Sequence, residues 1–248
     1  MKPVFVKTSN YERFQDGLTV VEGRGAMEAS MMLVMGHPGY GKSETVERWS
    51  IQTGAVHLRA QEGWTRLAFI SALAEELKLD ASGFFKDIKP RVIGYLGRHQ
   101  NTTIVVDEVD HCMENSASVL EVIRDITDLT EIIVVLVGME KTQSKISKYP
   151  QIMRRISNVV TFQPATLDDV RLICQQKCEV GVADDLVREI HQQSRGLISE
   201  IVNSIKIIER HASLNGLDNV SLRDMGTQRL TLYWQESRAR FQNVVGGN

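Results

Sequence analysis

Residues 36–43 read GHPGYGKS. Gly36, Gly41, Lys42 and Ser43 occupy the fixed places of the phosphate-loop pattern G-x-x-x-x-G-K-[ST]. Each residue type has a job in gripping a nucleoside triphosphate. Successive backbone N–H groups curl around phosphate oxygens, and a helix start adds unpaired N–H groups and a favourable dipole. Lys42 brings a mobile point charge to the outer phosphates. The Ser43 hydroxyl can reach a Mg2+ ion on those phosphates, and Gly39 gives backbone freedom where a side chain would crowd the ligand. The candidate nucleotide-binding segment is Gly36, His37, Pro38, Gly39, Tyr40, Gly41, Lys42, Ser43 and Glu44. A Gly/Pro turn before an ordinary helix is the plain alternative.

A working cradle requires a second acidic element, and IVVDE supplies one. Asp107 at a strand end can hold hydrated Mg2+ from the other side. Glu108 can orient a water toward the terminal phosphate. An Asp-Glu pair alone is commonplace; beside the cradle it points to a hydrolase. Asp110 and His111 are assigned supporting or surface roles. A small-molecule kinase is the rival within this class, and it needs an acceptor pocket over the phosphates.

Residues 141–155 carry five cations and no acid: Lys141, Lys145, Lys148, Arg154 and Arg155. The stretch follows the apolar run EIIVVLVG, so it is expected on the nucleotide side of the sheet. Three uses fit Arg154 and Arg155: reaching the terminal phosphate in a neighbouring subunit, contacting a nucleic-acid backbone, or lining a solvated surface. For the three lysines the nucleic-acid and surface readings stand level. Tyr11 and Phe14 fit either beside an adenine ring or in packing. Trp49, Trp64 and Trp234 lie on helical patterns as packing residues. Cys174 and Cys178 share a helical face; without a second pair they read as small core residues rather than metal ligands.

The 248 residues carry a formal charge of -2 with 42% hydrophobic and 24% charged residues, an ordinary globular balance. Three cysteines do not make a disulfide framework. No secretory signal or membrane span is expected, and the cytoplasm is the expected location. ASMMLVMG, AVHLRA, TTIVVDEVDH, EIIVVLVG and VVTFQP read as strands between helical patterns. LTVVEG reads as a short strand or extended arm. WTRLAFISALAEELKL puts Leu67, Ile70, Ala74 and Leu77 on one helical face. PRVIGYLGRH is a helix weakened by two glycines, and Pro150 breaks its segment. These patterns predict an α/β fold: a mostly parallel sheet flanked by helices over residues 1–164. A small all-helical unit follows over 165–248, with its last helix across residues 221–242.

The segments MMLVMGHPGYGKSETVERW, TTIVVDEVDH, EIIVVLVGMEKTQSKI and PQIMRRISNVVTF together resemble the AAA+ ATPases that assist transposition. This is the target-DNA activator group of the Mu phage B protein and its Mu-like prophage relatives. The resemblance implies a P-loop NTPase core with a helical lid, ATP and Mg2+ as cofactors, and ATP bound between adjacent subunits. It implies self-assembly as a ring or filament on double-stranded DNA, and delivery of that DNA to a transposase. By position, Gly36, Gly41, Lys42 and Ser43 match the first nucleotide motif. Asp107 and Glu108 match the second, and Arg155, with Arg154 as fallback, matches the arginine finger. Two features depart from the pattern. Gly138 and Met139 stand where a polar sensor is usual, and Ser199, with Arg195 nearby, stands where the lid arginine is usual. Both imply slow turnover stimulated by DNA or a partner. The relative's N-terminal DNA-binding domain has no room in this chain, so DNA contact is expected from Lys141, Lys145, Lys148, Arg91 and Arg98. Helicase loading, or a nucleotide-gated scaffold with little hydrolysis, are the alternatives.

Overall fold

The computed structural model describes residues 1–113 and 117–231. The described residues divide into two compact units: Asn10–Pro38 with Lys42–Gln163, and Met1–Ser9 with Gly39–Gly41 and residues 164–231.

The first unit is built on five strands: β1 (Met31–Met35), β2 (Val56–Arg59), β3 (Ile104–Asp107), β4 (Val134–Gly138) and β5 (Ile156–Thr161). They form one parallel sheet in the order β2-β3-β4-β1-β5. Every residue of β3 and β4 is buried. This is why the sequence shows unbroken apolar runs there: helices cover both faces, so no strand position is left for a polar residue. β4 separates β1 from β3. Because all five strands are parallel, Met35, Arg59, Asp107 and Gly138 end along one edge of the sheet.

The helices of this unit are α1 (Ser9–Glu22), α2 (Lys42–Thr53), α3 (Arg66–Glu76), α4 (Phe85–Leu96), α5 (Ser118–Thr130), α6 (Thr142–Ile146) and α7 (Pro150–Met153), with a 3-10 turn over Val109–Met113. α5 buries Val119, Leu120, Val122, Ile123 and Ile126, a 3.6-residue stripe. That stripe joins Ile70, Leu73, Ile88, Val92 and Leu136 in the main core.

Several sequence expectations change. LTVVEG is the last part of α1, not a strand. Phe14, Leu18 and Val21 are buried on one face, a helical spacing hidden by the β-branched pair that ends it. Phe14 is fully buried edge-on against Trp49, with ring centroids 5.4 Å apart, so it is a packing residue. In α3 the buried face is Phe69, Ile70, Leu73 and Ala74, while Leu67 is exposed. α4 starts five residues before Pro90. Pro150 opens α7, because a first-turn residue has no intrahelical N–H bond to lose.

The second unit holds α8 (Leu167–Lys177), α9 (Asp184–Ser194), α10 (Ile198–Asn215) and α11 (Leu222–Met225), with a two-stranded ladder of β6 (Gly181–Val182) and β7 (Asn219–Val220). Its core gathers Val6, Ile173, Cys174, Cys178, Leu186, Ile190, Ile201, Ile205 and Ile208. Burial pushes the Cys174 thiol up to about 12, as expected of an inert packing cysteine. Asp169 caps α8 through Thr166 and accepts from the Ser9 N–H and hydroxyl, both at 2.7 Å. The Ile198 N–H donates to the Gly39 carbonyl at 2.8 Å. The helix expected over 221–242 is the short α11, closed by Gly226 at φ 57°; its remainder, and Trp234, lie outside the described residues.

One glycine tests the packing of α1. A methyl on Gly17 would overlap the Val160 Cγ2 and touch the Met32 sulfur at 3.0 Å. Gly17→Ala should therefore lower the unfolding free energy by about 1–3 kcal/mol despite alanine's better helix propensity, measured by urea denaturation. A stabilised variant would mean that α1 does not pack this tightly on β5.

Candidate nucleotide site

β1 ends at Met35 and α2 begins at Lys42, so GHPGYG is a strand-to-helix loop. Gly36 has φ 154°, Gly39 90° and Gly41 84°. At Gly36 a Cβ would come within 2.9 Å of the Phe162 carbonyl oxygen and 3.0 Å of its Cβ, so only glycine fits this approach to β5. At Gly41 the left-handed backbone disfavours any other residue. Gly36 is thus required by the fold as well as by the motif.

The Lys42 ammonium donates to the carbonyls of Gly36 at 2.6 Å and His37 at 3.1 Å. Burial pulls its pKa down, while Asp107, Glu140 and Asp110 favour its charge. A cation satisfied only by loop carbonyls is ready to exchange them for phosphate oxygens, which offer a stronger charge-assisted bond. Asp107 is buried at the end of β3, and its carboxylate accepts the N–H of Glu108 at 2.8 Å. Ser43 opens α2 beside Lys42. Ser43 and Asp107 thus supply the hydroxyl and carboxylate donors that suit Mg2+, which keeps most of its own waters.

Glu108 leaves β3 with φ 55°, an uncommon conformation for a residue with a side chain. Its carboxylate accepts from Arg59 at 2.6 Å, and His111 lies 3.8 Å from the other oxygen. The Arg59 hydrogen bond holds the Glu108 carboxyl below the usual carboxylate range. Arg59 carries no motif signal in the sequence; it ends β2, and only the pairing of β2 with β3 brings it beside Glu108.

Asp110 ties the next two connections together. It accepts the Met139 N–H at 2.8 Å, the Thr142 hydroxyl at 2.7 Å and the Lys145 ammonium at 2.9 Å. Burial acts to raise its pKa, but these donors outweigh it and the net shift is downward. The same cluster accounts for the glycine ending β4. A Cβ at Gly138 would overlap the Thr142 hydroxyl and stand 2.9 Å from the Asp110 carboxylate. A polar sensor side chain has no room there.

The five cations of 141–155 separate. Lys141 and Lys145 follow β4 on the cradle edge, as expected, with Lys145 held by Asp110. Arg154 and Arg155 lie at the opposite edge, because Ile156 begins β5 and the Met31 N–H donates to the Arg155 carbonyl at 2.8 Å. The chain crosses the sheet between them, which corrects the expectation that the whole stretch lies on the nucleotide side. The Arg155 guanidinium forms two bonds to Asp128, 2.6 and 3.1 Å long. Arg154 is exposed, as are Lys141, Lys148 and Arg98, and these four have no ion pair among the described residues. Arg91 is engaged with the carbonyls of Asp80 and Ser82 at 2.5 and 3.0 Å, so it serves as a staple of the loop before α4. Among the described residues no group of three or more acidic, His or Cys side chains forms a metal cluster, and no helix is long and apolar enough to cross a membrane.

Residues 25–146 match the family model described as an AAA domain, a span just under half of the chain. Over 138 residues the chain is 27% identical to a "potential ATP-binding protein" of Staphylococcus aureus, a match covering 52% of this chain and 50% of the relative. The chain thus spans about half the length of that curated relative. Among solved structures, Cdc6p from Pyrobaculum aerophilum superposes with a TM-score of 0.66 at 16% identity, covering 90% of this chain and 68% of that one. Aeropyrum pernix Orc1, solved in complex with DNA, gives 0.58 at 17% identity over 97% and 66%. The Thermotoga maritima RuvB Holliday junction branch migration motor gives 0.58 at 14% over 89% and 69%. At these identities the likeness establishes the fold alone: a parallel α/β P-loop NTPase with flanking helices.

Two measurements check the charge arrangement. In a pH titration followed by NMR, Glu108 should titrate below the ordinary carboxylate range, and Arg59→Ala should move it upward. An unmoved value would mean that the pair does not hold in solution. Asp110→Ala should cost about 1–3 kcal/mol of stability at neutral pH. A carboxylate with a depressed pKa stabilises the fold above its ordinary pKa and loses that contribution as pH falls. The gap between wild type and variant should therefore narrow on acidification; a constant gap would reject this role.

Proposed function

We propose that this protein is an ATP-hydrolysing, DNA-binding assembly factor whose subunits share their nucleotide sites. The observation that carries the reading is the half-buried Lys42 ammonium in a glycine loop on the sheet edge where Asp107 and Glu108 emerge. In this reading the loop N–H groups and Lys42 hold the triphosphate. Mg2+ sits with Ser43 and Asp107 and offsets the phosphate charge. Glu108 orients the attacking water and takes up its proton.

The position of Arg154 and Arg155 supports a shared site. At the sheet edge opposite their own cradle, they are suited to reach a neighbour's terminal phosphate. Of the two, Arg154 is already free to do so, whereas Arg155 must first leave Asp128. The Arg59–Glu108 pair supports slow basal turnover, because a carboxylate holding a guanidinium at 2.6 Å is not free to accept a proton from water. DNA as the partner is supported by the unpaired cations Lys141, Lys148, Arg98 and Arg154, and by the fold shared with an Orc1 solved on DNA. Delivery of target DNA to a transposase is the finer reading, and it rests on the resemblance of the four motif segments.

The test is duplex-DNA binding by fluorescence anisotropy over a salt series, with and without ATP and Mg2+, alongside phosphate release. Binding should require ATP and fall steeply with salt. Lys42→Ala should lose ATP affinity. Glu108→Gln should bind ATP and lower turnover at least a hundredfold. Arg59→Ala should raise basal turnover severalfold. Wild type showing no Mg2+-dependent ATP affinity would overturn the enzyme reading, and affinity indifferent to ATP and salt would overturn the DNA reading.

A further inference from the structure

The loop before α4 presents an aromatic side chain to solvent in a fixed position. Phe84 is 72% exposed, among the largest exposures of any apolar side chain in the described residues. An exposed phenylalanine is unremarkable on a loose loop, but this loop is built. Asp80 accepts the N–H and hydroxyl of Ser82 at 2.9 and 2.6 Å. Arg91 bonds the carbonyls of Asp80 and Ser82 and pairs with the Asp80 carboxylate at 2.9 Å. Asp87 accepts the Phe84 N–H at 3.2 Å. Gly83, at φ 109°, makes the turn that throws Phe84 outward.

Cations predominate around this ring. Lys86 stands 6.0 Å from the centre of the Phe84 ring. Arg66 and Lys89 stand 5.4 and 5.9 Å from the centre of the neighbouring Phe85 ring, so the starts of α3 and α4 meet there. Lys89 is neutralised by Asp125 at 2.8 Å. Asp80 is paired with Arg91, while Asp87 keeps its charge as it accepts the Phe84 N–H. Arg66 and Lys86 have no carboxylate partner among the described residues. Against the single charge of Asp87, Lys86 and Arg66 leave a pre-ordered aromatic face with a net positive charge beside it.

We propose that Phe84 is a stacking platform for a nucleobase, with Lys86 and Arg66 holding the adjoining phosphates. A π-face beside cations fits nucleic acid, whose strand offers a flat apolar ring and an anionic backbone at every step. A purely apolar protein partner would leave Lys86 and Arg66 desolvated without a counter-charge. The platform is ordered before the ligand arrives, so little conformational entropy is lost on binding. This inference rests on the DNA-binding reading above and names the interface within it. The same ring chemistry serves an unpaired base or a wedge into a duplex step.

The experiment uses the full chain with ATP and Mg2+, a labelled single strand and the matching duplex. Phe84→Ala should weaken binding to at least one of them by about 5- to 150-fold, the range of one base–aromatic stack, while ATP affinity and thermal unfolding stay unchanged. Phe84→Trp should retain affinity, and Phe84→Leu should lose single-strand affinity as alanine does, because leucine keeps the apolar contact without the π-face; on the duplex leucine still serves as a wedge. Lys86→Ala should reduce the salt slope by about one. Loss on the single strand alone assigns an unpaired base; loss on the duplex as well assigns a wedge. Phe84→Ala binding both oligonucleotides like wild type, or Phe84→Leu binding the single strand like wild type, overturns the platform and leaves the DNA reading standing. Wild type binding neither overturns both.

Discussion

Four parallel strands end along one edge of the sheet, and that geometry brings the candidate chemistry together. β1 delivers the glycine loop, β3 delivers Asp107 and Glu108, β2 delivers Arg59, and β4 delivers the turn that Asp110 fastens. Apart from the cluster of Asp107, Glu108 and Asp110, these groups lie well apart in the chain. Parallel pairing in register, with β4 seated between the cradle strand and the acidic strand, sets their spacing. The buried apolar runs that hold the sheet together are thus what holds the site together.

Charge is distributed unevenly over this frame. Several cations of the α/β unit are spent on internal carboxylates: Arg59 on Glu108, Lys145 on Asp110, Arg155 on Asp128 and Lys89 on Asp125. Lys42 differs, since its hydrogen-bond partners are neutral loop carbonyls. A half-buried ammonium without a contacting carboxylate is costly to keep, and an arriving polyphosphate relieves that cost. Glu108 is in the reverse condition, its negative charge already answered by Arg59. The two central groups of the cradle thus start from opposite states, one awaiting an anion and one holding a cation.

The motifs were legible because their chemistry is local. A glycine loop between an apolar strand and a helix, and an acid pair at the end of a second apolar strand, are recognisable wherever they occur. The α/β class followed from unbroken apolar runs alternating with helical spacing. α1 is hidden in the sequence because LTVVEG is short and centred on a β-branched pair, so period two and period 3.6 cannot be separated within it. Pro150 was read as a breaker because its sequence does not show whether a helix begins or ends there. Leu67 was placed inside by its spacing, yet Phe69, with more apolar surface to bury, took the core position of the first turn of α3.

By itself the sequence supplied the candidates for gripping phosphate and holding a magnesium ion, and determined that a parallel sheet carries them. Only the tertiary structure decided which charges face one another. Strand order placed Arg59 on Glu108, the path from Gly138 to Ile156 carried Arg154 and Arg155 to the far edge, and the loop bonds of Arg91 made it a staple. The reason is range. Backbone conformation and hydrophobic period are written in neighbouring residues, whereas an ion pair depends on which strands pair and in which direction. In a parallel sheet those partners lie dozens of residues apart.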